Sequence, residues 1–285
     1  MKILLLGDGG QLASELEKTL ADEILAPVSH TQLDIRDRAA VEALAAQVRP
    51  DCIINTAAYH RVDDCEEHVE EAFAVNVSGV ANVARAAARH GALLVQFSTN
   101  YVFDGGKSSP YTEDDVPQPL SVYGTSRLAG EWVARHFAPR VLLVRTCGLY
   151  GAAGRRAKSG VGNFVENMLR LAAEGKPIRV VNDQRCTPTS ARELAQRLAP
   201  MLRAGVCGLF HLTNEGECSW YEFAQEIFRV CGLTPDLRPV SSAEFAARAR
   251  RPAYSVLENR ALRAAGFERF RPWQVALAEY LRDRV

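Results

Sequence analysis

Five apolar runs without polar alternation, each followed by a stretch of helical spacing, narrow the folds open to this chain more than any other feature. They are KILLLG (2–7), EILAPV (23–28), CIINTAA (52–58), LLVQFST (93–99) and VLLVRT (141–146). A strand with one wet face alternates polar and apolar residues, whereas continuous apolarity needs cover on both faces, as in a parallel sheet. Ala-rich segments such as AAVEALAAQVR and NVARAAARHG must then carry the crossovers. Right-handed connection of successive units gives an α/β fold with a doubly wound parallel sheet of Rossmann type. After about residue 150 the rhythm changes to a Gly-rich basic loop (151–162), a helix through NFVENMLRLAAEG, a short IRVV strand and mostly helices. The expected division is a dinucleotide-binding domain over 1–150 and a smaller, mostly helical substrate-binding cap over 151–285. GLFHLT (208–213) returns as a strand, so the two are expected to interleave.

Composition serves chiefly to exclude. The 285 residues are 47% hydrophobic, ample for a large core, and 34 basic side chains balance 34 acidic ones. Net charge therefore implies neither a nucleic-acid footprint nor a polybasic membrane patch, and a small-molecule partner is expected. The apolar start, MKILLLGDGG, meets its glycines too early for a signal-peptide core, and no stretch reaches eighteen apolar residues, so a cytoplasmic location is expected. Seven cysteines lack any CxxC pair, and six histidines show no ligand spacing. Reduced core thiols and no metal are the expectation. His211, Trp220 and Trp273 read as packing residues, and the cations Arg155, Arg156 and Lys158 as a surface run that could attract an anion.

Between the first strand and its helix, LLLGDGGQLASEL sets Gly7, Gly10 and Ala13 as G-x-x-G-x-x-A. Gly7 permits a tight turn, Gly10 lets a pyrophosphate approach backbone N–H groups, and Ala13 allows close helix–sheet packing. No acidic residue closes the second strand, where Ser29 and His30 stand, with Asp34 a few residues on. NADPH is therefore permitted and NADH remains open. Ala57 and Ala58 are small enough to admit a dinucleotide after the third strand. Asn76, in FAVNVSG, reads as an amide bonding to neighbouring backbone, or equally as a structural amide.

A nicotinamide enzyme that reduces a ketone needs an acid for the carbonyl oxygen. In SVYGTSRLAGE, Tyr123 and Arg127 lie four apart on one helix face, where a cation can favour the ionised phenol. Ser98 and Thr99 end the fourth strand and can orient the same carbonyl.

The ordered blocks STNYVFDG, PLSVYGTSRLAGE, NFVENMLRLA, DQRCTPT, HLTNEGECSWYEFA and RPAYSVLENRAL resemble the dTDP-4-dehydrorhamnose reductase family of extended short-chain dehydrogenases, over the whole chain. The resemblance implies reduction of the 4-keto group of dTDP-4-dehydro-6-deoxy-L-mannose to dTDP-L-rhamnose with NADPH or NADH, by a monomer or homodimer. It places Thr99 and Tyr123 on the catalytic threonine and tyrosine, with Arg127 as electrostatic support. Gln11, Leu12, Asp34, Ile35, Ala58, Tyr59 and His60 fall on dinucleotide-binding stretches. Asn100, Tyr101, Phe103, Gln184 and Arg185 are candidates for the nucleotide sugar, the last for its diphosphate. Glu15 could touch the interface metal of some members, but one carboxylate is no coordination shell. Three positions depart from the family: Arg127 replaces lysine, Asn100 replaces aspartate, and Gly148 replaces a sugar-contacting tryptophan. They leave two other readings open: a cofactor-binding regulatory subunit without useful turnover, similar to the beta subunit of methionine adenosyltransferase, or a reductase or epimerase of another nucleotide sugar.

Overall fold

In the computed structural model, residues 1–156 and 162–284 are described, with backbone only at 155 and 156. Lys158 thus lies outside the described residues, as do the side chains of Arg155 and Arg156. The five apolar runs form β1 (Lys2–Asp8), β2 (Ile24–Ser29), β3 (Cys52–Asn55), β4 (Leu93–Thr99) and β5 (Val141–Thr146). With Gly208–His211 they make a six-stranded sheet in the order 208–211, β5, β4, β3, β1, β2. Every pairing is parallel. The order reverses between β1 and β3, which makes the carboxyl edge beside them the place where such sheets bind ligands.

Both sheet faces are covered over β1, β3, β4 and β5, as continuous apolarity requires, while the edge strand β2 is only partly buried. On one face α1 (Gln11–Thr19) and the helix Ala191–Arg203 pack over Ile3, Leu5, Ile54, Val95 and Leu142. On the other, α2 (Arg38–Val48) and the helices Val80–His90 and Val122–Phe137 pack over Leu4, Leu6, Ile53, Leu94 and Leu143. A separate cluster of Tyr150, Val165, Phe223, Ile227, Trp273 and Leu277 forms the core of the cap. Residues of 191–212 pack into the sheet's core although they follow the helix Phe164–Ala173, which packs in the separate cluster. No helix among the described residues is long and apolar enough to cross a membrane.

One helix is irregular. Val69–Phe73 runs into a π-helical turn, Ala74–Gly79, before continuing as Val80–His90. The wider turn lets two helices touch at backbone distance: a Cβ on Gly130 of the facing helix would lie 2.4 Å from the Asn76 carbonyl oxygen.

Candidate active site

At the carboxyl end of β1, Gly7 (φ +93°) and Gly9 (φ +82°) adopt backbone conformations that suit glycine. A Cβ on Gly7 would meet Thr56 Oγ1 at 2.5 Å and Ala57 N at 2.9 Å, so the turn closes against the strand beside it. Thr56 fixes that contact by donating its hydroxyl to the Leu6 carbonyl at 2.8 Å. Gly10 then caps α1 in extended conformation with no side chain bonding the first turn. The first N–H groups of α1 therefore point beyond the sheet edge without a capping side chain, and nothing lies within 4 Å of a Cβ placed on Gly9. An open glycine turn and an uncapped helix start suit a pyrophosphate.

The dinucleotide candidates divide by how they could act. Leu12 and Ile35 are buried in the sheet's two cores, which leaves only their backbone for a ligand. The Gln11 carboxamide is already engaged, its oxygen accepting from Gly151 N at 2.9 Å and Asn163 Nδ2 at 2.8 Å, which ties α1 to the loop after β5. Asp34 pairs with Arg36 at 2.5 Å, and that guanidinium holds its carboxyl below the usual range. Arg36 follows Asp34 by two residues rather than ending β2, so no strand-end pattern marks it; it is a half-exposed cation paired with Asp34. Asn76 bonds not neighbouring backbone but backbone seventeen residues away, as a structural amide. Its oxygen accepts from Tyr59 N at 2.9 Å and its amide donates to Tyr59 O at 3.0 Å and to Ser126 Oγ at 3.0 Å. This amide clamps the Ala57–His60 loop to the Tyr123 helix. Ala57, Ala58 and Tyr59 are half-buried along that loop, while His60 is exposed.

Ser121 caps the Tyr123 helix by accepting from Gly124 N at 3.1 Å. Tyr123 is half-buried, and its ring meets Tyr101 edge-on with centroids 5.9 Å apart. Arg127 is 7% exposed, its guanidinium carbon 6.0 Å from the Tyr123 ring centre and its Nη2 donating to the Phe97 carbonyl at 2.5 Å. Thr99, at the end of β4, accepts from Tyr101 N at 3.2 Å and donates to Asn100 Oδ1 at 3.2 Å. Those long bonds leave the hydroxyl free to be redirected by a ligand oxygen. Asn100 is anchored from behind, donating to Ser255 Oγ at 2.8 Å. Ser98, the other hydroxyl at this strand end, is buried and donates to Glu131 at 2.5 Å.

Two substrate candidates are placed differently from expectation. Phe103 has no exposed surface; it stacks on Tyr111 with centroids 4.1 Å apart, beneath Arg145, so it packs the core rather than lining the cleft. Its position after a core strand is the reason. Arg185 is committed to two carboxylates, Glu217 at 2.9 Å and Glu222 at 3.4 Å, and can meet a diphosphate only by exchanging them. Gln184 is buried and donates to Ser242 Oγ at 2.8 Å. Tyr101 is half-buried beside Tyr123, with burial raising its phenol pKa. Glu15 is held by Lys18 at 3.0 Å and Arg192 at 4.0 Å. Among the described residues no group of three ligating side chains could hold a metal ion.

A doubly wound sheet with an open glycine turn at β1 and a Tyr–Arg helix beside a threonine at β4 defines a dinucleotide-binding protein of the extended short-chain dehydrogenase type. The family model described as "RmlD substrate binding domain" matches residues 1–285, and the chain belongs to that family. It is 38% identical to the spore coat polysaccharide biosynthesis protein SpsK of Bacillus subtilis, over 99% of this chain and 98% of that one. It superimposes on the crystal structure of a dTDP-4-dehydrorhamnose reductase from Clostridium acetobutylicum with TM-score 0.95 at 39% identity, covering 100% and 99% of the two chains. A second reductase of that name, from Bacillus anthracis and solved in complex with NADP, matches with TM-score 0.94 at 35% identity over 99% and 100%.

Proposed function

We propose that this protein reduces the 4-keto group of dTDP-4-dehydrorhamnose to an alcohol with NADPH, NADH being a possible substitute. Support for this reading comes from Tyr123 meeting Tyr101, whose N–H bonds Thr99, and from Arg127 lying beneath the Tyr123 ring while donating to the Phe97 carbonyl of β4. The bound nicotinamide would supply hydride to the carbonyl carbon. Tyr123 donates its phenolic proton to the carbonyl oxygen, and the Arg127 guanidinium stabilises the phenolate that results. Thr99 turns its hydroxyl from Asn100 to the same oxygen and fixes its direction. Arginine keeps its proton throughout, so Arg127 acts as fixed charge and hydrogen-bond donor, not as a relay. The uncapped start of α1 holds the pyrophosphate, and the Ala57–His60 loop, clamped by Asn76, lines the dinucleotide.

The test is NADPH consumption by purified protein supplied with enzymatically generated dTDP-4-dehydrorhamnose, beside a Tyr123→Phe control. Turnover in the parent, lost by a factor of about 10² or more in the variant with cofactor binding retained, is expected. Tight cofactor binding without turnover in the parent would instead support a regulatory subunit. Gly148 favours a second reading, a reductase of another 4-keto nucleotide sugar. Its φ of +53° and the Trp220 ring 3.3 Å from a Cβ placed there leave no ready place for the family's tryptophan side chain.

A further inference from the structure

Tyr123, Arg127 and Glu131 recur at intervals of four, so a phenol, a guanidinium and a carboxylate run down one helix face. Arg127 and Glu131 have the spacing of an ordinary helical ion pair. Among the described residues, however, no ion pair joins them. Glu131 is occupied from the neighbouring strand: Arg145 of β5 donates Nε to Oε1 and Nη2 to Oε2, each at 2.8 Å, and the Ser98 hydroxyl adds a third bond to Oε1. The pair is 3% and 2% exposed, and a two-point guanidinium–carboxylate bond in so dry a place is strong and directional. Arg127 is left with a neutral acceptor, the Phe97 carbonyl. Arg127, Glu131 and Arg145 together carry one net positive charge, located at Arg127, one helical turn from Tyr123.

We propose that Arg145 is a positioning residue that sequesters Glu131 and thereby reserves the charge of Arg127 for Tyr123; this rests on Tyr123 being the proton donor. If Arg145 is removed, Glu131 loses its partner and is free to neutralise Arg127. The other ionisable groups around this face stay constant in such a comparison. They are Cys65, which burial pushes up to about 11 and so keeps neutral, Glu66, which accepts from Val122 N at the helix start, and Tyr101 with Arg251 and Cys147 beside it.

The experiment follows the ionisation of Tyr123 without requiring turnover, as the tyrosinate absorbance of each protein minus that of its own Tyr123→Phe version. Arg145→Gln is expected to move the midpoint upward by about one pH unit, and the double variant Arg145→Gln with Glu131→Gln to bring it back, because the compensating carboxylate is gone. Glu131→Gln alone, whose amide oxygen can still accept from Arg145 and Ser98, is expected to move it downward. The alkaline limb of reduction, which needs the protonated phenol, should follow in the same direction. An unmoved midpoint in Arg145→Gln, a shift that persists in the double variant, or an unmoved or raised midpoint in Glu131→Gln would overturn the proposal. If the midpoints move as stated while no variant and no parent protein reduces a 4-keto sugar, the charge arrangement stands and the reductase reading fails.

Discussion

Arg127 presents a planar, delocalised cation where a compact ammonium would sit in relatives with lysine, and one arm of its fork is spent on the Phe97 carbonyl. Its charge survives at Tyr123, but its reach and its inability to release a proton differ. Arg127→Lys is therefore expected to raise turnover by about one to two decades, or roughly 1.4–2.7 kcal/mol of transition-state stabilisation. Steady-state kinetics of the two proteins checks this, and equal or lower turnover in the lysine variant would count against it. His211 sets a second prediction. Burial, reinforced by the Arg145 cation, lowers its pKa to about 3, so the folded protein keeps it neutral. An unfolded chain takes up that proton below about pH 6.5, so the neutral imidazole costs no stability above that pH and increasingly destabilises the fold as pH falls toward 3. By pH 5 the loss amounts to about 2 kcal/mol. Urea unfolding of the parent and of His211→Gln at pH 7.5 and pH 5 should show a shallower pH dependence in the variant.

Two helices govern the site at the next scale, and their contact is set by a glycine. The π-helical turn Ala74–Gly79 pushes the Asn76 carbonyl against Gly130, while the Asn76 amide grips Tyr59 and Ser126. Gly130→Ala must force these elements apart, since its methyl would start 2.4 Å from the carbonyl oxygen. Overpacking of that kind costs about 1–3 kcal/mol, and it displaces the helix that bears Tyr123. A fall in the urea midpoint together with a loss of turnover is expected; a variant as stable and active as its parent would show that the contact is slack. None of this was readable beforehand. FAVNVSGV fits an unbroken helix, and the partners of Asn76 lie 17 and 50 residues away, so the sequence pointed to neighbouring backbone and missed the real partners. The elements themselves were legible where one local cause suffices: uninterrupted apolarity for β1 to β5, and the Gly7–Gly10 turn for the start of α1.

Across the whole molecule, the sheet is legible because its burial leaves a periodic mark, whereas the cap depends on partners remote in sequence. Cys186 pairs with Cys218 in a short antiparallel ladder, and Ile178–Val181 with Leu237–Val240, contacts that no local pattern announces. For the same reason the site was only partly legible. The proposed Tyr123, Arg127 and Thr99 stand on regular elements and were picked out by family resemblance, whereas the burial of Phe103 and the pairing of Arg185 depend on residues remote in sequence. The Glu131–Arg145 pair was hidden in two apolar-looking segments. The central claim is that these elements together move a hydride onto a sugar carbon. It is tested most directly by supplying reduced cofactor with both C4 hydrogens of the nicotinamide replaced by deuterium, together with dTDP-4-dehydrorhamnose, and locating the label in the product. One deuterium at C4 of the hexose, absent with Tyr123→Phe, is the expected result. Cofactor bound tightly but no deuterium in the sugar would contradict the account.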